Sequence, residues 1–203
     1  MSKKFVFSAG TGRCGTTSIR EVLNSQEDSQ ISKEFMPLPF ISYLKQIEEY
    51  INKISERKAK YVGDSAFYIT PHIPNIVKLL GNNVKIIYPY RVCSEQVPSN
   101  YKHWKDRNNA TSEAYARQYN INLGIKNKFF DCHKKYNLPK EEALWWRCEE
   151  LHEMAHTWEK YYPEHFRIVY FKDFLNDLWV QEYWLKWLGF KKPKPVNVRK
   201  NAG

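Results

Sequence analysis

The amino-acid sequence predicts an α/β protein with one domain and three layers, in which helices cover both faces of a central, mainly parallel sheet of about five strands. Short apolar runs alternate along the chain with longer segments of helical periodicity, as in proteins built from strand–helix–strand units. Residues 84–88 (VKIIY) are almost entirely apolar, which is typical of a central strand covered on both sides. With 203 residues, the chain is long enough for one well-buried domain spanning 1–203.

The first elements follow from local patterns near the N-terminus. Residues 5–7 are predicted to form the first strand, and a glycine-rich loop leads from it into a helix with Ile19 and Val22 on one buried face. Residues 30–35 are predicted to form a second strand, and residues 40–57 an amphipathic helix. That helix rests on apolar residues recurring at steps of three and four, namely Ile41, Leu44, Ile47, Ile51 and Ile54.

The middle of the chain continues the alternation. Residues 61–64 are predicted to form the third strand. A helix follows that Pro71 and Pro74 open and Gly81 closes, in agreement with the preference of proline for helix starts and of glycine for helix ends. Residues 84–88 form the fourth strand. Between residues 108 and 138 no period is sustained, and this segment is predicted to be a variable part that covers the site.

Regular patterns return in the last third. A wide apolar stripe predicts a long helix at residues 139–162, and residues 167–171 are predicted to form the fifth strand. Residues 175–188 complete the fold as a tryptophan-rich helix that Gly189 ends. We find no internal repeat and no linker between domains.

The composition indicates an anionic partner. Lys and Arg number 32 against 22 Asp and Glu, which gives a formal net charge of +10. Charge alone does not distinguish a nucleotide from nucleic acid, a membrane surface or an acidic glycan. Because no tract of lysine and arginine resembles a nucleic-acid-binding tail, we expect no nucleic acid as partner.

The cysteines and the N-terminus predict a cytoplasmic protein. Cys14, Cys93, Cys132 and Cys148 are far apart in sequence, which favours reduced thiols and no metal site, even though His133 follows Cys132. The chain enters its first strand almost at once, leaving no room for a secretion signal, and no apolar run reaches membrane-spanning length.

The loop at residues 10–18 (GTGRCGTTS) is the strongest functional signal. A glycine-rich loop between a strand and a helix directs several backbone N–H groups, and the positive end of the helix dipole, at one point. Such a point suits a phosphate group. Thr16, Thr17 and Ser18 add hydroxyl donors in the first helical turn, although Thr17 and Ser18 could serve only to cap the helix.

The loop is P-loop NTPase-like but departs from the triphosphate-binding pattern. Gly10 and Gly15 have the required spacing, but Thr16 stands where that pattern has lysine. The strand at residues 84–88 leads to Arg91, where a triphosphate hydrolase has an acid that helps to hold magnesium. These departures favour an anionic nucleotide without magnesium-bound triphosphate, and leave a P-loop nucleotide kinase as the alternative.

Together, these residues resemble a known enzyme family. Residues 12–18 resemble the 5′-phosphosulfate loop of sulfotransferases that use 3′-phosphoadenosine 5′-phosphosulfate (PAPS). The matching residues are Gly12, Arg13, Cys14, Gly15, Thr16, Thr17 and Ser18. Arg91 and Ser99, eight residues apart, resemble the pair that binds the 3′-phosphate in that family. Residues 166–188 are similar to its last strand and following helix.

The resemblance implies an activity and a set of roles. The chain would use PAPS as co-substrate, move its sulfuryl group to a hydroxyl or amine, release adenosine 3′,5′-bisphosphate, and require no metal. Arg13 would clamp the charge that develops on the leaving phosphate, and Glu34, just after the second strand, would be the general base. Arg199 and Lys200 would reinforce the 3′-phosphate site, as the basic C-terminal segment does in many members.

Several alternatives stay open. Arg13 could be a solvated surface charge, Arg91 could pair with an acid at the sheet edge, and Glu34 could be a solvated loop acid. Other candidate bases are Asp64, His72 and His103. Many Golgi-type members of the family carry a lysine in the segment that corresponds to residues 64–68, and this chain does not. The acceptor could be a small molecule, a glycan, a lipid or a peptide, and a nucleotide-binding protein without catalysis is the second alternative function.

Overall fold

A computed structural model describes residues 3–35, 44–104 and 140–198. It contains one sheet of five parallel strands in the order β2-β3-β1-β4-β5. The strands are β1 (Lys4–Ser8), β2 (Ser29–Lys33), β3 (Tyr61–Ser65), β4 (Val84–Tyr90) and β5 (Phe166–Tyr170). The predicted single-domain α/β fold with a central parallel sheet is therefore confirmed.

Helices connect the strands. They are α1 (Thr16–Asn24), α2 (Leu44–Ser55), α3 (Ile73–Leu80), α4 (Cys93–Trp104), α5 (Lys140–Tyr161), α6 (Phe171–Asn176) and α7 (Leu178–Trp187). Short 3-10 helices at Phe67–His72 and Gly81–Asn83 flank α3. Within the three described ranges, no helix has the length and apolar character that crossing a bilayer requires.

Two apolar clusters, one on each face of the sheet, form most of the core, and a smaller third cluster contains Val97, Leu144 and Cys148 between α4 and α5. Alternation along β1 sends Phe7 to one face and Val6 to the other. The Phe7 face packs against α2, α3 and α5, whereas the Val6 face packs against α1, α6 and α7. Ile86 and Ile87 divide between the same two faces, which explains why β4 has an almost entirely apolar sequence.

Strands β1 and β3 approach closely because Gly63 has no side chain. A Cβ atom at this position would overlap the carbonyl group of Val6. On its other side Gly63 is paired with Ile31 of β2, so β3 has little freedom to move away from β1. The glycine is therefore required for space rather than for an unusual backbone angle.

The end of the chain differs from the prediction. Instead of one helix at residues 175–188, α6 ends at Asn176 and α7 begins at Leu178. The carboxylate of Asp177 accepts hydrogen bonds from the N–H groups of Trp179 (2.8 Å) and Val180 (3.2 Å), and so caps α7 at its start. The predicted segment 108–138, as well as Arg199 and Lys200, lies outside the described residues.

The cysteines also differ from the expectation of unpaired thiols. Cys93 at the start of α4 and Cys148 in α5 form a disulfide, although they are 55 positions apart in sequence. Their sequence positions give no sign of it, because the pairing depends on how α4 packs against α5. Cys14 is free and buried.

Candidate anion-binding site

The candidate site lies where the parallel strands end. The loop after β1 leads into α1, Glu34 follows β2, and Arg91 follows β4. Because all five strands are parallel, these three points lie at the same edge of the sheet. The topology thus brings together residues that are far apart in sequence, such as Arg13 and Arg91, which are 78 positions apart.

Positive backbone angles shape the loop between β1 and α1. Gly12 and Gly15 have φ values of 80° and 85°, and Arg13 adopts φ 56°, which is unusual for a residue with a side chain. Gly15 is the N-cap of α1, and no side chain caps the helix there. The first turn of α1 therefore offers its N–H groups and the positive end of its dipole at the mouth of the loop.

Two side chains hold the carbonyl groups of the loop. The amide of Gln96 in α4 donates to the carbonyl oxygens of Gly12 (2.7 Å) and Thr11 (3.4 Å). The Nη1 of Arg91 donates to the carbonyl oxygen of Arg13 at 3.0 Å. Since N–H and C=O point in opposite directions across a trans peptide, anchoring these carbonyls fixes the directions of the amides that follow. Gln96 was missed in the sequence because no local pattern marks it.

Cys14 lies beneath the loop rather than at its surface. Its side chain is fully buried, and a Cβ atom at Gly10 would overlap its sulfur. Burial raises the pKa of the Cys14 thiol, and contacts with the N–H groups of Thr11 and Gly12 oppose this only in part. Cys14 is therefore a neutral packing residue that can meet a ligand only through its backbone.

Arg13 and Ser99 are in contact across the site. The Nε of Arg13 lies 3.4 Å from the Oγ of Ser99, and Arg13 is exposed to solvent. Arg91 donates to the backbone carbonyl of Arg13. Arg13 therefore lies beside both Arg91 and Ser99, the pair proposed to bind the 3′-phosphate. Thr16 and Ser18 are largely buried at the start of α1, and Thr17 is half-buried.

Arg91 also pairs with an acid, as the alternative interpretation of this residue predicted. Its Nε lies 3.5 Å from the carboxylate of Glu95, and the Nζ of Lys172 lies 2.6 Å from the same carboxylate. A hydrogen bond from Lys172 is the main reason that the pKa of Glu95 is lowered, and Arg91 contributes further. The two cations share one acid, so the site keeps a net positive charge.

Phe171, the first residue of α6, supports both the loop and Arg91. The guanidinium carbon of Arg91 lies 5.5 Å from the centre of the Phe171 ring. A Cβ atom at Gly15 would lie 2.5 Å from Cδ2 of that ring. Gly15 is thus needed twice, for its positive φ and for its close approach to Phe171.

Arg147 in α5 adds a cation that the sequence prediction missed. Its guanidinium carbon lies 5.2 Å from the centre of the Phe67 ring. A Cβ atom at Gly12 would lie 3.8 Å from Nη2 of Arg147 and 3.9 Å from Cγ of Phe67. Phe67 belongs to the segment 64–68 in which no lysine occurs, and a positive charge reaches that segment from α5 instead.

Glu34 is connected to the loop through the backbone of β3. It adopts φ 49°, and its N–H donates to the carbonyl of Ser65 at 3.3 Å. The hydroxyl of Ser65 in turn donates to the carbonyl of Thr16 at 2.8 Å. Partial desolvation raises the pKa of the exposed Glu34 carboxyl, the Lys33 ammonium opposes this shift, and the Asp64 carboxylate adds to it.

Of the other candidate bases, Asp64 and His72 are buried. Asp64 is buried and accepts hydrogen bonds from the Tyr50 hydroxyl (2.8 Å), the Tyr68 hydroxyl (3.0 Å) and the Phe35 N–H (3.0 Å). Burial raises the pKa of its carboxyl, and these bonds oppose the shift. His72 is buried at the start of α3, where desolvation lowers its pKa to about 4. The side chain of His103 lies outside the described atoms.

Comparison with known protein families gives one finding. The family model described as the sulfotransferase domain matches residues 3–188, which is nearly the whole chain. The match contains the loop after β1, Glu34, Arg91, Ser99 and Arg147. No curated protein matches the chain.

Proposed function

Because the chain belongs to the sulfotransferase domain family, we propose that it transfers a sulfuryl group from PAPS to a hydroxyl or amine of an acceptor, with release of adenosine 3′,5′-bisphosphate. The transfer is an in-line displacement in which the S–O bond to the nucleotide phosphate breaks as the bond to the acceptor forms. The proton leaves the acceptor to a base. In this proposal the chemistry needs no metal.

One observation carries this proposal. The anion-binding loop, Arg91 and Ser99 lie at one edge of the sheet, with Arg91 bonded to the loop backbone at 3.0 Å and Ser99 3.4 Å from Arg13. An ordinary adenylate has a single phosphorylated end, whereas PAPS carries phosphate at both its 3′ and 5′ positions. Two adjoining groups of anion donors, the loop between β1 and α1 and the pair Arg91 and Ser99, match a nucleotide that carries phosphate at both positions.

The cations supply the main catalytic effect. Negative charge grows on the bridging oxygen as the S–O bond breaks, and fixed donors aimed at that charge lower the barrier. In this proposal Arg13 and the N–H groups at the start of α1 stabilise the leaving phosphate. Arg13 forms forked hydrogen bonds without giving up its proton, so it acts as an electrostatic clamp. Arg147 adds positive charge on the side of Phe67.

Glu34 is the proposed general base. It lies beyond the end of β2, and the hydrogen bonds through Ser65 relate its backbone to the start of α1. A raised pKa makes its carboxylate a better proton acceptor than an ordinary surface glutamate. The bonds to Asp64 from Tyr50, Tyr68 and Phe35 leave it less suited to the same task.

The pair Arg91 and Ser99 is tested by nucleotide selectivity. We expect the double variant Arg91→Ala with Ser99→Ala to lose roughly ten- to 100-fold in its preference for adenosine 3′,5′-bisphosphate over AMP, the size of a lost charge-assisted hydrogen bond. Calorimetric titration with both ligands measures the preference. Taking the ratio removes any loss from the contact of Arg91 with the loop, which affects both ligands.

The matched control for that experiment is Glu95→Gln. This change removes the ion pair of Arg91 but leaves Arg91 and Ser99 in place, so the preference for the bisphosphate should remain. An unchanged preference in the double variant would show that the 3′-phosphate binds elsewhere.

Glu34 is tested by the pH dependence of the rate. A general base must be deprotonated, so kcat should fall as the pH drops through the raised pKa of Glu34, and above that pKa it should level off. We expect Glu34→Gln to lower kcat by roughly 100-fold or more and to remove this acid limb. Glu27→Gln, which changes another exposed glutamate, should alter neither. A Glu34→Gln enzyme with the rate and the pH profile of the wild type would exclude Glu34 as the base.

A further inference from the structure

A second cluster of reactive side chains lies between α4 and α5, apart from the residues given roles above. Among the described residues, Cys93, Cys148 and His152 form the group whose potential ligand atoms lie within 4.8 Å of one another. Cys148 and His152 are four residues apart in α5 and therefore share one face of that helix. Cys148 and His152 are buried, and Cys93 is half-buried at the start of α4.

We propose that Cys93, Cys148 and His152, with both cysteines reduced, form a zinc-binding site. Two thiolates and an imidazole are soft to borderline ligands that favour Zn²⁺ over Mg²⁺ or Ca²⁺. The disulfide between the cysteines is the oxidised state of the same site. Binding converts two thiols into thiolate ligands, so one Zn²⁺ enters and two protons leave.

The three potential ligand atoms lie near the spacing that a shared metal requires. In a tetrahedral zinc site, sulfur and nitrogen ligands lie about 3.6 Å apart, since their bonds to zinc are about 2.3 and 2.0 Å long. The sulfur of Cys93 lies 3.6 Å from Nδ1 of His152 and the sulfur of Cys148 lies 3.9 Å from Nε2, whereas one zinc ion binds only one of these nitrogens. With one ligand atom taken from each residue, all three atoms lie within 4.8 Å of one another, so a modest shift brings them to the spacing of a zinc site. Once the disulfide is opened, rotation of the two cysteine side chains lets the sulfurs separate around an ion.

The surroundings hold the imidazole in place. The ring of Tyr90 lies 4.4 Å from the ring of His152 between centroids, and Tyr88 meets it edge-on at 5.9 Å. This packing keeps the ring beside the cysteines at little further cost in side-chain entropy. Three protein ligands leave the fourth position of the metal to water. The ion would join α4 to α5, as the disulfide does in the oxidised state.

Zinc binding to the reduced full-length chain tests the proposal. After reduction with a phosphine and removal of metal, we expect the chain to take up one equivalent of Zn²⁺ in competition with a chromophoric chelator. Replacement of zinc by Co²⁺ should produce thiolate-to-cobalt charge-transfer absorption. Added zinc should raise the thermal unfolding midpoint of the reduced protein, because it binds the folded state. The oxidised protein, whose sulfurs are joined, should take up none.

Variants locate the site. Cys148→Ser and His152→Asn should lose the zinc equivalent and the charge-transfer band, whereas Cys132→Ser, which alters a cysteine next to a histidine in sequence, should keep both. Circular dichroism checks that the variants are folded. If Cys148→Ser does not fold, Cys93→Ser, which changes the half-buried cysteine, gives the same test. The proposal is overturned if the reduced wild type takes up no zinc, or if Cys148→Ser binds as much as the wild type.

Discussion

Arg13→Ala is expected to lower kcat by about 100- to 1000-fold, the usual cost of removing one preorganised donor from a developing negative charge. Arg13 belongs to the loop between β1 and α1, where the leaving 5′-phosphate is proposed to bind, and its Nε lies 3.4 Å from Ser99 of the proposed 3′-phosphate pair. Steady-state kinetics with PAPS and a generic phenolic or alcoholic acceptor provide the measurement. The fall should be in kcat more than in the KM for PAPS, because the charge at the bridging oxygen grows only in the transition state.

Two further variants complete this test, one that separates charge from geometry at Arg13 and one that serves as a control. Arg13→Lys keeps the positive charge but loses the fork of donors, so its rate should lie between those of the wild type and Arg13→Ala. Arg20→Ala removes an arginine from the body of α1, where it pairs with Glu21 at 3.8 Å, and should leave the rate unchanged. If Arg13→Ala retained the wild-type kcat, Arg13 would be a solvated surface charge.

Gly63→Ala is expected to have the largest effect on stability. The new Cβ would overlap the Val6 carbonyl in the middle of the sheet, and β2 on the other side of β3 limits the room for movement. Because the clash is with backbone, we expect the free energy of unfolding to fall by about 3 kcal/mol or more, at the upper end of the cost of overpacking. Denaturant titration followed by circular dichroism measures it.

Gly81→Ala is the control for this effect. A Cβ atom there meets nothing within 4 Å, and only its φ of 51° is unfavourable for alanine. With this φ, its ψ of −134° places Gly81 in a sparsely populated region, where strain costs about 1–3 kcal/mol, so Gly63→Ala should have the larger effect. Equal losses would mean that the spacing of β1 and β3 does not depend on the glycine.

The fold was predictable because its determinants are local. The apolar runs of β1 and β4, the periodic face of α2 and the glycines after β1 each lie within a short stretch of sequence. Alternation of strands and helices then restricts the topology to a parallel sheet with its ligands at one edge. The division of the last helix was missed because a helical apolar pattern continues through Asp177, and only its capping bonds show that a new helix begins there.

The candidate site was predictable only in part. Arg13, Arg91 and Ser99 were proposed through the resemblance of their pattern to a family, and in the structure Arg13 contacts both of the others. By contrast, Gln96, Phe171 and Arg147 support or charge the loop from helices far along the chain, and no local spacing marks them. The pairing of Cys93 with Cys148 was likewise not predictable from the sequence, because it depends on the packing of two helices rather than on sequence distance.

The central claim is that two adjoining groups of anion donors bind one nucleotide phosphorylated at both its 3′ and 5′ positions. Calorimetric titration of the wild-type chain with adenosine 3′,5′-bisphosphate, AMP, and ATP with Mg²⁺ tests it most directly. We predict that the bisphosphate binds at least about tenfold more tightly than AMP, equivalent to about 1.4 kcal/mol, and more tightly than ATP with Mg²⁺. Equal affinity for the bisphosphate and AMP, or a preference for ATP with Mg²⁺, would contradict the claim.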